Sequence, residues 1–285
     1  MVDIVYVTKI DHLYTLRISI KKITELYNVG TIYIITDKKD FSFFKFKSTV
    51  DIKLVDQDSV LPNMVKKDLD SLTLPYFPRR AGWYFQQLLK LGISTIDSIN
   101  ENYIVIDADT VFLQSIPFIN LKGQFVFLKA TEYHKSYFDN YRVLLGKEPN
   151  REFSFISQYM VFNKNIVKKL FTDIEENFNG ESTWNWLIME KIQGTDASLF
   201  SEYETYGHYV KNHYPDQCEF ISKEWLREGS EYLKTTAPSM KAIESLSEAY
   251  CLVSFELRSK GFLNKVSRVL FHKIYPLFNY VYTKH

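Results

Sequence analysis

Short apolar runs alternate with amphipathic stripes through the first half of the chain. Asp3-Ile4-Val5-Tyr6-Val7-Thr8, Thr31-Ile32-Tyr33-Ile34-Ile35-Thr36 and Ile52-Lys53-Leu54-Val55 are brief, rich in β-branched residues and bounded by polar ones, which predicts strands. Between the first two, Leu13, Leu16, Ile20, Ile23 and Leu26 recur at helical intervals, and Asn28-Val29-Gly30 supplies a stop. Strand, helix, strand in that order predicts a right-handed crossover and a parallel sheet. Later periodicities predict a helix over 82–91, strands over 124–128 and 155–162, and helices from about 165, over 182–193 and from Glu202. Residues 131–152 mix aromatics and charges, Glu132, His134 and Tyr137 among them, without a clear period. They predict a loop or short helix over a site, and the chain from 239 onward is predicted helical, with the apolar run 249–255 compatible with a buried helix turn or a short strand.

The run Tyr103-Ile104-Val105-Ile106-Asp107-Ala108-Asp109-Thr110 stands apart because its apolar stretch breaks at two carboxylates spaced i, i+2. A strand apolar on both faces belongs in a parallel sheet covered by helices, and ligands in such sheets collect at the carboxyl ends of strands. Neighbouring carboxylates repel, so their joint ionisation needs a cation or a donor. Hard oxygen ligands suit Mg²⁺ or Mn²⁺, and Mg²⁺ is commonly held by one or two carboxylates together with substrate phosphates. No glycine-rich phosphate loop of either common type occurs, which leaves phosphate binding to such an ion.

An apolar strand followed by Asp107-Ala108-Asp109 resembles the metal-binding signature of the GT-A glycosyltransferases. The resemblance runs over about 3–210. It implies an α/β, Rossmann-type mixed sheet, mostly parallel and flanked by helices, with a helical C-terminal extension. A catalytic domain would occupy 1–238, with a donor half of about 1–113 and an acceptor half of about 114–238, leaving 239–285 as a helical segment. It also implies hexosyltransferase-like transfer from a nucleotide-sugar donor, UDP-linked first, to a saccharide or lipid-linked saccharide of a bacterial surface glycan such as capsule or lipopolysaccharide. Asp107 and Asp109 would hold Mn²⁺ or Mg²⁺, with His208 as third ligand. Thr8, Lys9, Asp37, Arg79, Arg80, Trp83, Gln87 and Ala108 would face the donor. Gln158, Tyr203 and Tyr206 would face the acceptor, and Glu202, with Glu204 in reserve, would take the acceptor hydroxyl's proton if the enzyme inverts. Arg79 and Arg80 suit a diphosphate because a guanidinium fork matches phosphate oxygens at two points. The same letters, Asp107-Ala108-Asp109-Thr110-Val111, also resemble the nucleophile motif of haloacid-dehalogenase-type phosphatases, which usually carry it on their first strand. A saccharide-binding protein that kept the fold without catalysis is the non-enzyme alternative.

Composition narrows this further. A hydrophobic share of 46% with 24% charged residues belongs to a globular chain, and a net charge of +1 argues against a nucleic-acid partner. Cys218 and Cys251 stand in no metal or redox spacing, and Met1-Val2-Asp3-Ile4 leads straight into a strand, so the expectation is a cytoplasmic protein. The segment 262–285 sets Lys265, Arg268, His272, Lys273 and Lys284 among apolar residues. Such a basic amphipathic stretch can lie on a membrane, which predicts a peripheral position at its inner face.

Overall fold

A computed structural model describes residues 1–256 apart from Pro78 and Asn150. In chain order the strands and α-helices are β1 (Val2–Val7), α1 (Leu13–Leu26), β2 (Val29–Thr36), β3 (Asp51–Asp56), α2 (Lys66–Leu69), α3 (Ala81–Gly92), β4 (Asn102–Ile106), β5 (Thr110–Phe112), β6 (Phe125–Leu128), α4 (Lys135–Leu145) and β7 (Tyr159–Asn163). There follow α5 (Lys164–Asn177), α6 (Trp184–Lys191), α7 (Glu202–His213), β8 (Cys218–Ile221), α8 (Gly229–Tyr232), α9 (Met240–Glu244) and β9 (Leu252–Ser254). The central sheet has the order β3-β2-β1-β4-β7, and β7 alone runs antiparallel. The expected α/β architecture, a mostly parallel mixed sheet flanked by helices, is therefore the one observed.

The two-sided apolar runs explain the strand order. Ile4, Val5 and Tyr6 of β1 and Tyr103, Ile104, Val105 and Ile106 of β4 are all fully buried, so these strands take the middle of the sheet. Each such aliphatic side chain contributes about 1.5–3 kcal/mol by leaving water. Gly30 lies inside β2 and is no helix stop. A Cβ there would stand 2.8 Å from Asp3 Oδ1, and that buried carboxylate accepts the backbone N–H groups of Thr31 and Asn100 at 2.9 and 2.8 Å.

The parallel strands deliver their carboxyl ends to one edge, and antiparallel β7 begins at that same edge, with Ile106 opposite Tyr159. Immediately after β4 the chain turns: the Thr110 N–H donates to the Asp107 carbonyl at 2.8 Å. The chain then enters β5, which pairs with β9. The Asp107 N–H donates to the Gln158 carbonyl at 3.0 Å and the Phe255 N–H to the Asp109 carbonyl at 2.8 Å. Asp107 and Asp109 thus sit on a tight turn anchored from two sides.

Three segments sharpen the picture. Residues 131–152, expected as a loop or short helix, hold an eleven-residue helix, α4, whose buried Tyr137, Phe138, Tyr141 and Leu144 pack inward. The strand β8, unmarked by any apolar run, pairs in parallel with β6. The segment from 239 is not helical throughout, because Leu252, Val253 and Ser254 extend to pair with β5; the rest of the expected helical tail, including the proposed membrane segment 262–285, lies outside the described residues. Among the described residues no helix is long and apolar enough to cross a membrane.

Helix α7 is seated by Gly207, where an added Cβ would stand 2.2 Å from the Phe155 ring. Replacing Gly207 with Val is expected to destabilise the fold by about 2 kcal/mol or more through overpacking. Denaturant unfolding that finds the variant as stable as the parent would remove this contact from the account.

Candidate active site

At the strand edge opens a cleft of about 550 Å³. One wall comes from α3. Arg80, Trp83, Gln87 and Lys90 recur at intervals of three and four, which places them on one stripe, and all four line the cleft. Arg80 is held by its Nε to the Ala197 carbonyl at 3.2 Å and by a terminal nitrogen to Ser198 Oγ at 2.6 Å, while its guanidinium stacks 4.0 Å over the Trp83 ring. Gln87 is buried. Its Oε1 accepts the Glu202 N–H at 3.2 Å, and its Nε2 has no partner among the described residues, which leaves a donor at the cleft.

Lys90 ties the floor together. Its ammonium, on a residue only 5% exposed, lies 2.5 Å from Asp107 Oδ1 and 2.6 Å from Glu202 Oε1, and 4.3 Å over the Tyr203 ring. Burial alone would lower the proton affinity of this amine, but the two carboxylates reverse that and raise it. The Tyr203 hydroxyl also donates to Asp107 Oδ1, at 2.9 Å. Burial pushes the Glu202 carboxyl up, and the Lys90 charge opposes this only in part. Burial likewise pushes Asp109 up; His12 opposes the shift, and the negative charges of Asp107 and Glu256 add to it. Asp109 finds one weak side-chain donor, Ser254 Oγ at 3.3 Å.

The opposite rim is a chain of charges. The Arg227 Nε lies 2.6 Å from Glu256 Oε1, its guanidinium pairs also with Glu132, and Glu132 reaches His134 Nε2 at 2.7 Å. All four residues line the cleft, as does Tyr137.

Of the residues expected from sequence, Arg80, Trp83, Gln87, Asp107, Ala108, Asp109, Gln158, Glu202 and Tyr203 come together here. Gln158 holds φ 68°, a left-handed conformation uncommon outside glycine and costly unless the surroundings enforce it. Thr8 and Lys9 line a smaller adjoining cavity of about 80 Å³, which shares His12 and Gln86 with the cleft. Asp37 pairs with Lys39 at 2.5 Å on the surface, and Arg79 is exposed; neither lines these cavities.

Glu204, Tyr206 and His208 are corrected by helical phase. Residues two apart on a helix point about 200° apart, so with Glu202 facing the cleft Glu204 faces the core. There Glu204 accepts Ser154 Oγ at 2.5 Å and the Phe155 N–H at 3.2 Å, and His208 lies 3.2 Å from it among Phe138, Tyr141 and Phe155. The Tyr206 hydroxyl accepts the Asn163 N–H at 2.8 Å and its ring packs on Phe162. Sequence reasoning in turn missed Lys90, His12, Arg227 and Glu256. The one available signal was Lys90 falling in the Trp83–Gln87 stripe.

A divalent ion would find two carboxylates at this floor, one of them, Asp109, half-buried with a single weak side-chain donor among the described residues. No cluster of three His, Cys, Asp or Glu side chains suited to a metal occurs among the described residues. The donor set therefore fits an ion held by Asp107 and Asp109 whose remaining ligands come from a bound phosphate and water.

Residues 2–243 match a family described as a family of unknown function (DUF6492). The chain belongs to that family. No curated protein matches the sequence. Among solved structures the fold is similar to that of the galactosyltransferase LgtC in complex with donor and acceptor sugar analogs, at a TM-score of 0.50 and 8% identity over 90% of this chain and 88% of that one. It is also similar to mouse xyloside xylosyltransferase 1 in its apo form, at a TM-score of 0.46 and 10% identity over 89% and 96%. At such identity the LgtC likeness is one of fold: this DUF6492 member has the GT-A architecture.

Because Asp109 holds its proton more tightly folded than unfolded, its ionisation weakens the fold as pH rises through and above the ordinary carboxylate range. Asp109→Asn is therefore expected to raise Tm at neutral pH, with the gain vanishing below about pH 3.9. A variant that melts lower at pH 7 would contradict the strained carboxylate.

Proposed function

We propose that this chain is a glycosyltransferase that moves a sugar from a nucleoside-diphosphate donor, a UDP-sugar first among candidates, to a saccharide hydroxyl. The observation that carries the reading is the 107–110 turn: two carboxylates, one poorly compensated, on the floor of a polar cleft at the carboxyl edge of a GT-A sheet. Asp107 and Asp109 would hold Mn²⁺ or Mg²⁺, and the ion when bound supplies positive charge against the departing diphosphate.

The protein's own groups do the rest. Thr8 and Lys9, beside the smaller cavity, serve the nucleoside end of the donor. Lys9 is exposed at the cavity mouth; partial desolvation and the neighbouring Lys66 charge lower its proton affinity, which an anionic ligand would offset. The unpartnered Gln87 Nε2 donates to an oxygen of the donor, while Trp83 and Arg80 wall its side of the cleft. Glu202, whose carboxyl burial has raised, is a better base than an ordinary carboxylate and takes the acceptor hydroxyl's proton in an inverting transfer. Gln158, Tyr203 and the rim residues Glu132, His134 and Tyr137 face the acceptor. A bacterial glycan, free or lipid-linked, is the acceptor class proposed, with 262–285 resting on the membrane face.

Nucleoside diphosphate release from UDP-sugars with Mn²⁺ tests the reading directly. Asp109→Asn is expected to slow it by at least ~10²-fold, the size of effect seen when one group stabilising developing charge is lost. Parent-like rates in that variant, or phosphate release from simple phosphomonoesters in place of sugar transfer, would end the proposal. Glu202→Gln should cost ~10²–10⁴-fold in kcat. In the parent the acid limb of the pH profile should fall above the ordinary carboxylate range, since protonating Glu202 removes the base. For the membrane reading, deleting 262–285 should move the protein from the membrane pellet to the supernatant, and unchanged sedimentation counts against it.

A further inference from the structure

Lys90 stands where it competes with any metal for Asp107. Its ammonium and the Tyr203 hydroxyl both occupy Asp107 Oδ1, at 2.5 and 2.9 Å, before anything binds. It is only 5% exposed and is fixed from a second side by Glu202 at 2.6 Å, so it is held beside Asp107 as a cation approaches. Of the two carboxylates of the turn, Asp107 is therefore shared with a resident positive charge. Asp109 supplies the only other carboxylate of the turn, and no third His, Cys, Asp or Glu joins the pair as a metal cluster among the described residues. A divalent ion entering alone would meet one occupied oxygen, too few protein ligands and a neighbouring ammonium. An ion entering with a diphosphate brings oxygens to complete its shell and negative charge that offsets both cations.

We propose that Lys90 is a positioning residue that keeps the Asp107–Asp109 pair a poor site for a free divalent ion and makes metal uptake conditional on the donor diphosphate. This rests on the glycosyltransferase reading, whose metal site it regulates. Lys90 also keeps Glu202 in place through the same contact, so the residue that gates the ion is the one that orients the base. If Lys90 acts only before the diphosphate arrives, a change that strengthens binding of the free ion leaves its binding beside the diphosphate unaltered, and so shrinks the diphosphate's help by the same factor.

The test measures Mn²⁺ binding to the full chain by the loss of its free-ion electron paramagnetic resonance signal, with and without UDP. The parent should bind Mn²⁺ weakly alone and at least ~10-fold more tightly with UDP. Lys90→Gln should gain about tenfold affinity for Mn²⁺ alone and lose a matching share of the UDP effect. Lys90→Arg, which keeps the charge, should behave as the parent does. Should Lys90→Gln fail to fold because Glu202 is left unpaired, the double variant with Glu202→Gln removes that charge and carries the same expectation. In the parent itself, the Lys90 side-chain ammonium resonance should hold still under Mg²⁺ alone and shift when UDP joins it. If Lys90→Gln or the double variant binds free Mn²⁺ no better than the parent while UDP still promotes binding, the gate is disproved and the metal site survives. A Lys90 resonance that moves equally with Mg²⁺ alone disproves the gate as well. If UDP promotes Mn²⁺ binding in no form of the protein, the metal site itself fails and the gate with it.

Discussion

A buried ammonium shared by two carboxylates is the constraint around which this site is arranged. Lys90, Asp107 and Glu202 come from α3, the end of β4 and the first turn of α7, so one cation fastens three elements at the cleft floor. Such an arrangement is a poor source of net stability, since desolvating three charges offsets most of their attraction, yet removing one partner strands the others. What it secures is geometry. The carboxylates of Asp107 and Glu202 are held on either side of a single nitrogen, and the Tyr203 ring closes the remaining face.

The sheet was legible because its chemistry is simple. Runs such as Ile4-Val5-Tyr6 and Tyr103-Ile104-Val105-Ile106 have no polar face, and only a covered parallel sheet accepts that. The acidic break after Ile106 was legible for the same reason, as a sudden cost in an apolar run. Phase within α7 was not. Glu202 and Glu204 look alike in sequence, and only the packing of Gly207 on Phe155 decides which faces the cleft and which the core. Lys90 was hidden by a sound rule, since a lysine near the end of a helix is ordinarily solvent-facing; here the helix is enclosed on both sides, with Leu88, Leu89 and Leu91 buried as fully as the lysine between them. Strand β8 escaped because its pairing is with a distant segment, and local pattern carries little of that.

Membership of a family of unknown function and a shared architecture at 8% identity leave the chemistry to the residues themselves. The fold accounts for where the cleft opens, at the edge where β1 and β4 end and β7 begins. The identity of the groups there belongs to this chain: a stripe of Arg80, Trp83, Gln87 and Lys90 along one helix, a glutamine at positive φ beside the acidic turn, and a rim built from alternating charges. Fold and site are consistent without either being deduced from the other.

Arg227 has a consequence of its own. Its guanidinium grips Glu132 ahead of α4 and Glu256 just after β9, so the point from which the polypeptide continues toward its C-terminus is itself a piece of the cleft wall. Tension on the chain at that exit pulls on Glu256, and through one arginine on the segment leading into α4. A displacement of Glu256 is therefore felt at the mouth of the cavity, two ion pairs away from the start of α4.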